Sequence, residues 1–188
     1  MVSYIKTTQP EEYEKFAKRH STNTDEQLCR FIAGEMDKRG SLYCLRNELN
    51  YINARIKVCQ FKPDLHNPSL QERYDANILR VVRQVYYSDH NKNSIDLVLF
   101  LNGIPVATCE IKTDFTQTVE DAVNQYKYDR LPIEPKTRKE EPLLAFKKRA
   151  LVHFALSNNE IKMATRLVGE KTFFLPFNKG HDGGAGNP

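Results

Sequence analysis

Ser94-Ile95-Asp96-Leu97-Val98-Leu99-Phe100-Leu101-Asn102-Gly103-Ile104-Pro105-Val106-Ala107-Thr108-Cys109-Glu110-Ile111-Lys112 is the most informative stretch of this 188-residue chain. From Ile95 to Leu101 it is apolar except for one aspartate, the pattern of a central strand buried on both faces. Asn102-Gly103 is a strong hairpin signal, because both residues tolerate the left-handed backbone a tight turn requires. Ile104 to Lys112 then reads as a second strand. Its period of two places Glu110 and Lys112 on one face and Ile111 on the other.

Upstream of this stretch, Pro10 followed by Glu11, Glu12 and Glu14 reads as a helix running to about His20. Thr24 with Gln27 suggests a capping box for a second helix. Leu28, Phe31, Ile32 and Met36 would form its apolar stripe and Gly40 its stop. Residues 42–46 and 51–61 have strand character, Ser69 to Asn77 looks helical, and 79–87 reads as an apolar strand. A polar break from Ser88 to Ser94 separates that strand from the central pair.

Downstream, Thr118 to Arg130 reads as a helix with Thr118 and Asp121 in a capping box and Val119, Ala122, Val123 and Tyr126 facing inward. A charged loop from Leu131 to Pro142 leads to another hairpin, 150–156 and 161–167, turning at Ser157-Asn158-Asn159. The last ten residues, Lys179 to Pro188, carry half of the eight glycines and read as a linker after a domain spanning 1–178. The expected class is therefore α/β.

A 40% apolar and 28% charged composition excludes wholesale disorder, and a net charge of +4 permits a polyanionic partner without requiring one. No run approaches the roughly 18 uninterrupted apolar residues of a membrane span. The N-terminal stretch has no apolar signal region, so the chain reads as soluble and cytoplasmic with no membrane partner. The four cysteines have no metal-ligand spacing and read as reduced, buried thiols. The histidines also lack ligand spacing, and no phosphate-cradling loop for ATP is present.

Chemistry concentrates where an acid in one strand precedes Glu-x-Lys in the next. Glu-x-Lys occurs three times, at 110–112, 134–136 and 160–162. Glu134 and Lys136 flank a proline in a polar loop and read as a solvated pair; Glu160 and Lys162 read as an exposed strand face. Glu110 and Lys112 differ because their strand is apolar and pairs with the strand holding Asp96. Two carboxylates helped by a backbone carbonyl suit Mg²⁺, and a neighbouring lysine can stabilise charge growing on a phosphate. A buried structural ion pair between Lys112 and one acid explains the pattern equally well.

Residues Ser94 to Pro105 with Glu110-Ile111-Lys112 resemble the nuclease core of type I restriction enzyme R subunits. The run Gln117 to Arg130, the segments Glu141-Pro142-Leu143-Leu144, Leu151 to Ala155 and Phe174 to Gly180, and the tail from Gly183 to Pro188 are similar to the same family. The resemblance implies a PD-(D/E)xK restriction-endonuclease-like fold, a mixed central sheet flanked by helices. It further implies an endonuclease domain that hydrolyses DNA phosphodiester bonds with Mg²⁺, for which Mn²⁺ substitutes. ATP would enter only through a translocase region beyond the linker. The implied partners are double-stranded DNA, that translocase, and methyltransferase and specificity subunits.

Carried over by residue, the resemblance makes Asp96 and Glu110 the metal-binding acids, gives the metal the Ile111 carbonyl, makes Lys112 the catalytic lysine, and gives Gln125 a supporting or DNA-contacting role. Two departures stand out: Ile95 replaces the signature proline, and Asp129 lies where the glutamine motif often has tyrosine. Another nuclease of the same fold, in repair or junction resolution, and a silent DNA-docking module are the alternatives. Register adds one expectation. A two-residue loop would turn Asp96 away from Glu110, so a shared metal calls for an odd loop, such as Leu101-Asn102-Gly103 closed by a bulge at Gly103.

Overall fold

The computed structural model describes residues 1–20, 22–64, 67–113, 115 and 117–177. The expected linker, Lys179 to Pro188, lies outside the described residues. The chain divides into two units, one of residues 1–80 with 100–104, the other of residues 81–99 with the described residues from 105 onward.

The first unit is mainly helical. Helix α1 (Val2–Thr8) was not legible, being two turns with only Tyr4 and Ile5 buried. Helix α2 (Pro10–Ala17) starts on its proline, whose missing N–H costs nothing at that position. Helix α3 (Thr24–Arg39) buries Leu28, Ile32 and Met36 and stops at Gly40, whose φ of 83° suits glycine. The expected capping box is absent. Asn23 holds the cap position, and the Thr24 hydroxyl donates to the His20 carbonyl instead.

Residues 42–46 form a helix, α4 (Ser41–Arg46), rather than a strand. Ser41, Cys44 and Leu45 are its buried residues, a helical spacing that six residues are too few to reveal as a period. Strands β1 (Leu49–Tyr51) and β2 (Ala54–Ile56) form a short antiparallel hairpin, and α5 (Pro68–Asp75) follows. Phe16, Phe31 and Tyr51 pack ring to ring with centroids 4.7–6.1 Å apart.

The six-stranded sheet runs in the order β3 (Leu79–Tyr86), β4 (Ser94–Leu101), β5 (Ile104–Ile111), β6 (Val152–Leu156), β7 (Ile161–Ala164) and β8 (Leu175–Pro176). Strand β5 pairs parallel with β6, while β6–β7 and β7–β8 are antiparallel, so the sheet is mixed. Parallel neighbours need a long crossover, here carried by α6 (Val119–Asn124) and a π-turn (Gln125–Asp129). The Asp121 carboxylate accepts from the Thr118 N–H at 2.7 Å, the half of the capping box that fixes the start of α6. Val119, Ala122 and Val123 pack on Ala155 of β6. The mixed α/β class is as expected and is compatible with a nuclease-like fold. Among the described residues, no helix is long and apolar enough to cross a membrane.

Two features of the strands correct the sequence reading. Strand β3 forms where the apolar stretch 79–87 predicts one, but at the sheet edge and mostly exposed, with Leu79 at 80%. Strand β4 lies between two others as expected, but only Ile95 and Val98 are fully buried.

The turn from β4 to β5 is a two-residue type I′ turn, with φ of 51° at Asn102 and 87° at Gly103. The expected odd loop does not form, because the Asn102 side chain is captured by its own unit. Its Oδ1 accepts the Ile78 N–H at 2.7 Å, and its Nδ2 donates to the Val58 carbonyl and Asn77 Oδ1, both at 2.9 Å. Asn102→Gly keeps the backbone conformation and loses these bonds. Chemical denaturation should show a loss of about 2–4 kcal/mol, each buried group left unpaired costing about 1–3 kcal/mol. Asn102→Asp should cost more, since it sets a carboxylate against two acceptors. Unchanged stability in Asn102→Gly would show that the side chain does not hold the turn.

Candidate functional site

Strand β4 supplies Asp96, and the C-terminal end of β5 supplies Glu110, Ile111 and Lys112. Glu110 is wholly buried, at 0% exposure, and its Oε1 accepts from Arg130 Nε at 2.7 Å. Its other oxygen, Oε2, is buried with no hydrogen-bond partner among the described residues. Burial pushes the Glu110 carboxyl up to about 7; Arg130 opposes that rise, and Asp96 adds to it.

Asp96 is held on both sides. Its Oδ1 accepts from Gln84 Nε2 at 3.0 Å, and its Oδ2 accepts from the Ile111 N–H at 2.9 Å. Burial alone would raise its carboxyl, but the Ile111 N–H, Glu110, the Gln84 amide and the Lys112 charge outweigh that and hold it below the usual value. The two acids therefore lie close enough to perturb one another despite the two-residue turn. Their environments push them in opposite directions, which favours an ionised Asp96 beside a proton-retaining Glu110.

Asp96, Glu110, Ile111 and Lys112 are thus brought together. The Lys112 N–H extends the β5–β6 pairing by donating to the Leu156 carbonyl at 2.9 Å, which fixes where the side chain leaves the strand. Gln125 opens the π-turn, and its Oε1 is buried without a partner among the described residues. Its link to the acids runs through Arg130, whose N–H donates to the Gln125 carbonyl at 2.9 Å. That bond spans five residues. The residue one turn after Gln125 is therefore Arg130, not Asp129.

Arg130 and Gln84 were missed from sequence. Arg130 could be found only by counting a π-turn, and the Gln84 signal is conformational. Gln84 has a φ of 50° inside β3, a left-handed conformation costing a non-glycine residue about 1 kcal/mol. Its amide bridges the site by accepting from Ser94 Oγ at 3.0 Å while donating to Asp96.

Beneath the acids, Thr108 Oγ1 lies 2.8 Å from the Tyr126 hydroxyl and 2.7 Å from His153 Nδ1. All three residues are fully or almost fully buried, and burial lowers His153 to about 4, so its ring is neutral. Thr108 shares a face of β5 with Glu110, so this network locks the strand and the π-turn together behind the site.

The other Glu-x-Lys matches divide. Glu160 is exposed as expected, and Lys162 pairs with Glu120. Glu134 is buried rather than solvated, because its carboxylate accepts the Thr137 N–H within its own turn. The cysteines are reduced thiols, with Cys44, Cys59 and Cys109 buried. Among the described residues, no group of three or more His, Cys, Asp or Glu side chains could hold a metal ion. The candidate centre is therefore two carboxylates with backbone help, a donor set within the range Mg²⁺ uses.

A family model described as the N terminus of type I restriction enzyme R proteins matches residues 6–172. No curated protein and no solved structure matches the chain.

Glu110 and His153 make opposing contributions to stability. The Glu110 carboxyl rises to about 7 from 4.5, so the folded state binds the extra proton and stability falls as pH rises through that window. His153 falls to about 4 from 6.5, so the unfolded state binds the extra proton and stability rises with pH there. Glu12, Asp25 and Asp96 are lowered and titrate below this range. Without divalent ions, denaturation midpoints should be nearly flat between about pH 5 and 6. Glu110→Gln should gain stability by about 1 kcal/mol per pH unit there, and His153→Asn should lose it at about the same rate. Equal slopes in all three proteins would contradict the assignment.

Proposed function

The chain belongs to the family of type I restriction enzyme R protein N termini, and from that premise we propose that it is the endonuclease domain of such an enzyme, hydrolysing DNA phosphodiester bonds with Mg²⁺. The observation that carries the reading is the approach of Asp96 to a buried Glu110 whose Oε2 has no donor among the described residues. An orphaned buried carboxylate oxygen is costly unless something outside the protein completes it. A hard cation fits that oxygen, with Asp96 and the Ile111 carbonyl as its other ligands and Mn²⁺ as a substitute. When bound, such an ion polarises a phosphate oxygen and makes a water nucleophilic near neutral pH.

The chain's own residues do the rest. The Gln84 amide and the Ile111 N–H fix both Asp96 oxygens without adding charge. Lys112, close enough to lower Asp96, sets a positive charge where phosphate oxygens gain negative charge during attack. Gln125 supports the site through Arg130. The substrate is double-stranded DNA. An ATP-driven translocase region of the same subunit would deliver it, and methyltransferase and specificity subunits would choose where the complex loads.

In the assembled enzyme, Asp96→Asn, Glu110→Gln and Lys112→Ala should each lower plasmid cleavage by about a hundredfold or more while sparing ATP hydrolysis. Calorimetric titration of the chain with Mn²⁺ should lose the binding heat in the two acid variants and keep it in Lys112→Ala. Wild-type cleavage in any of the three would remove that residue from the chemistry. Sequence-specific cutting by the 188-residue chain alone would point instead to a self-sufficient nuclease.

A further inference from the structure

We propose that Arg130 occupies the cation place beside Glu110 in the resting site, and that a divalent ion displaces its guanidinium rather than binding alongside it. The inference rests on the nuclease reading and extends it to how the centre is loaded. Three observations carry it.

The contact is short and enclosed: Arg130 Nε donates to Glu110 Oε1 at 2.7 Å, with the arginine side chain 12% exposed and the glutamate fully buried. Among the described residues, one of the glutamate's two oxygens is satisfied and the other is not, so the arginine balances the charge without completing the ligand's hydrogen bonding. Finally, the arginine backbone is anchored independently of its side chain. Its N–H is bound to the Gln125 carbonyl, and the preceding carbonyl, of Asp129, accepts from Asn93 Nδ2 at 3.1 Å. The guanidinium can therefore leave without unravelling the π-turn.

Displacement follows from charge. A guanidinium has donors only and cannot ligate a metal, and a divalent ion on the same carboxylate would repel it across a few ångströms of low-dielectric interior. A neutral amide in its place would coexist with the ion. An arginine gives a site that is charge-balanced without metal and rearranged with it, so the resting centre keeps its form until the ion arrives.

The test follows the arginine Nε–H signals of the ¹⁵N-labelled 188-residue chain during a Mg²⁺ titration, with Arg130 assigned through bonds from its own backbone amide. Calorimetry supplies the Mg²⁺ affinity, and Asp96→Asn serves as the control. In the metal-free protein the Arg130 Nε–H should exchange slowly with solvent. Mg²⁺ should shift it and speed its exchange by about tenfold or more, as expected when a buried hydrogen bond opens, with the calorimetric midpoint and no response in Asp96→Asn. Mg²⁺ binding that requires Asp96 but leaves the Arg130 signal unmoved and protected would overturn the displacement and leave the nuclease reading intact. Absence of Asp96-dependent Mg²⁺ binding would overturn both.

Discussion

A carboxylate with no exposure to water, and with one oxygen left unpaired among the described residues, is the constraint around which the second unit is arranged. Removing an ionised carboxylate from water costs several kcal/mol even after relaxation. Glu110 meets that cost in two ways, with Arg130 offsetting part of the charge and the raised carboxyl range letting a proton offset the rest. Arginine suits this role better than lysine because it stays charged under all conditions and is less strongly hydrated. Reaching Glu110 also depends on backbone geometry. In a regular α-helix the residue one turn beyond Gln125 would be Asp129, another acid. The π-turn puts Arg130 there instead, a use of irregular helix common at functional sites.

The π-turn is held by what lies beneath it. Tyr126, its second residue, is fully buried against Thr108 and His153, and its hydroxyl shares the Thr108 oxygen. Parallel pairing of β5 with β6 makes this possible, since it places Thr108 directly across from His153. The chain between those strands then has to cross the sheet, and α6 with the π-turn is that crossing. The same topology that makes the sheet mixed therefore delivers Arg130 to the acids. A neutral His153 fits this role, because a third cation there would compete with Arg130 for the field of Glu110.

How far the site was legible in the sequence depended on whether the signal was periodic. Asp96, Glu110 and Lys112 stood out because a strand alternates faces, so charges in an apolar run are conspicuous. The Asn102-Gly103 turn was equally plain, yet its loop length was misjudged, because Asn102 is fixed by Ile78, Val58 and Asn77, which no local pattern announces. Helix α4 and the Asn23 cap were missed for lack of length and because a left-handed residue took the cap position. Arg130 and Gln84 were hidden for a deeper reason. Each acts through a departure from regular backbone, and a regular period cannot reveal a residue whose position depends on breaking it.

Those departures share a purpose that charge counting brings out. Once Glu110 has lost its proton, above about pH 7, Asp96 and Glu110 carry two negative charges and Lys112 and Arg130 two positive ones, so the metal-free centre is then neutral. Had the groups clamping Asp96 been charged, that balance would be lost. The Gln84 amide and the Ile111 N–H fix the carboxylate with neutral donors, one of them aimed by a left-handed backbone. A divalent ion entering a neutral centre leaves it positive, whether the guanidinium stays near or withdraws. A positive, partly buried centre is what a phosphodiester, itself singly negative, is drawn to. If the chain is the proposed nuclease, the glutamine in β3 serves the substrate's charge as much as the position of Asp96.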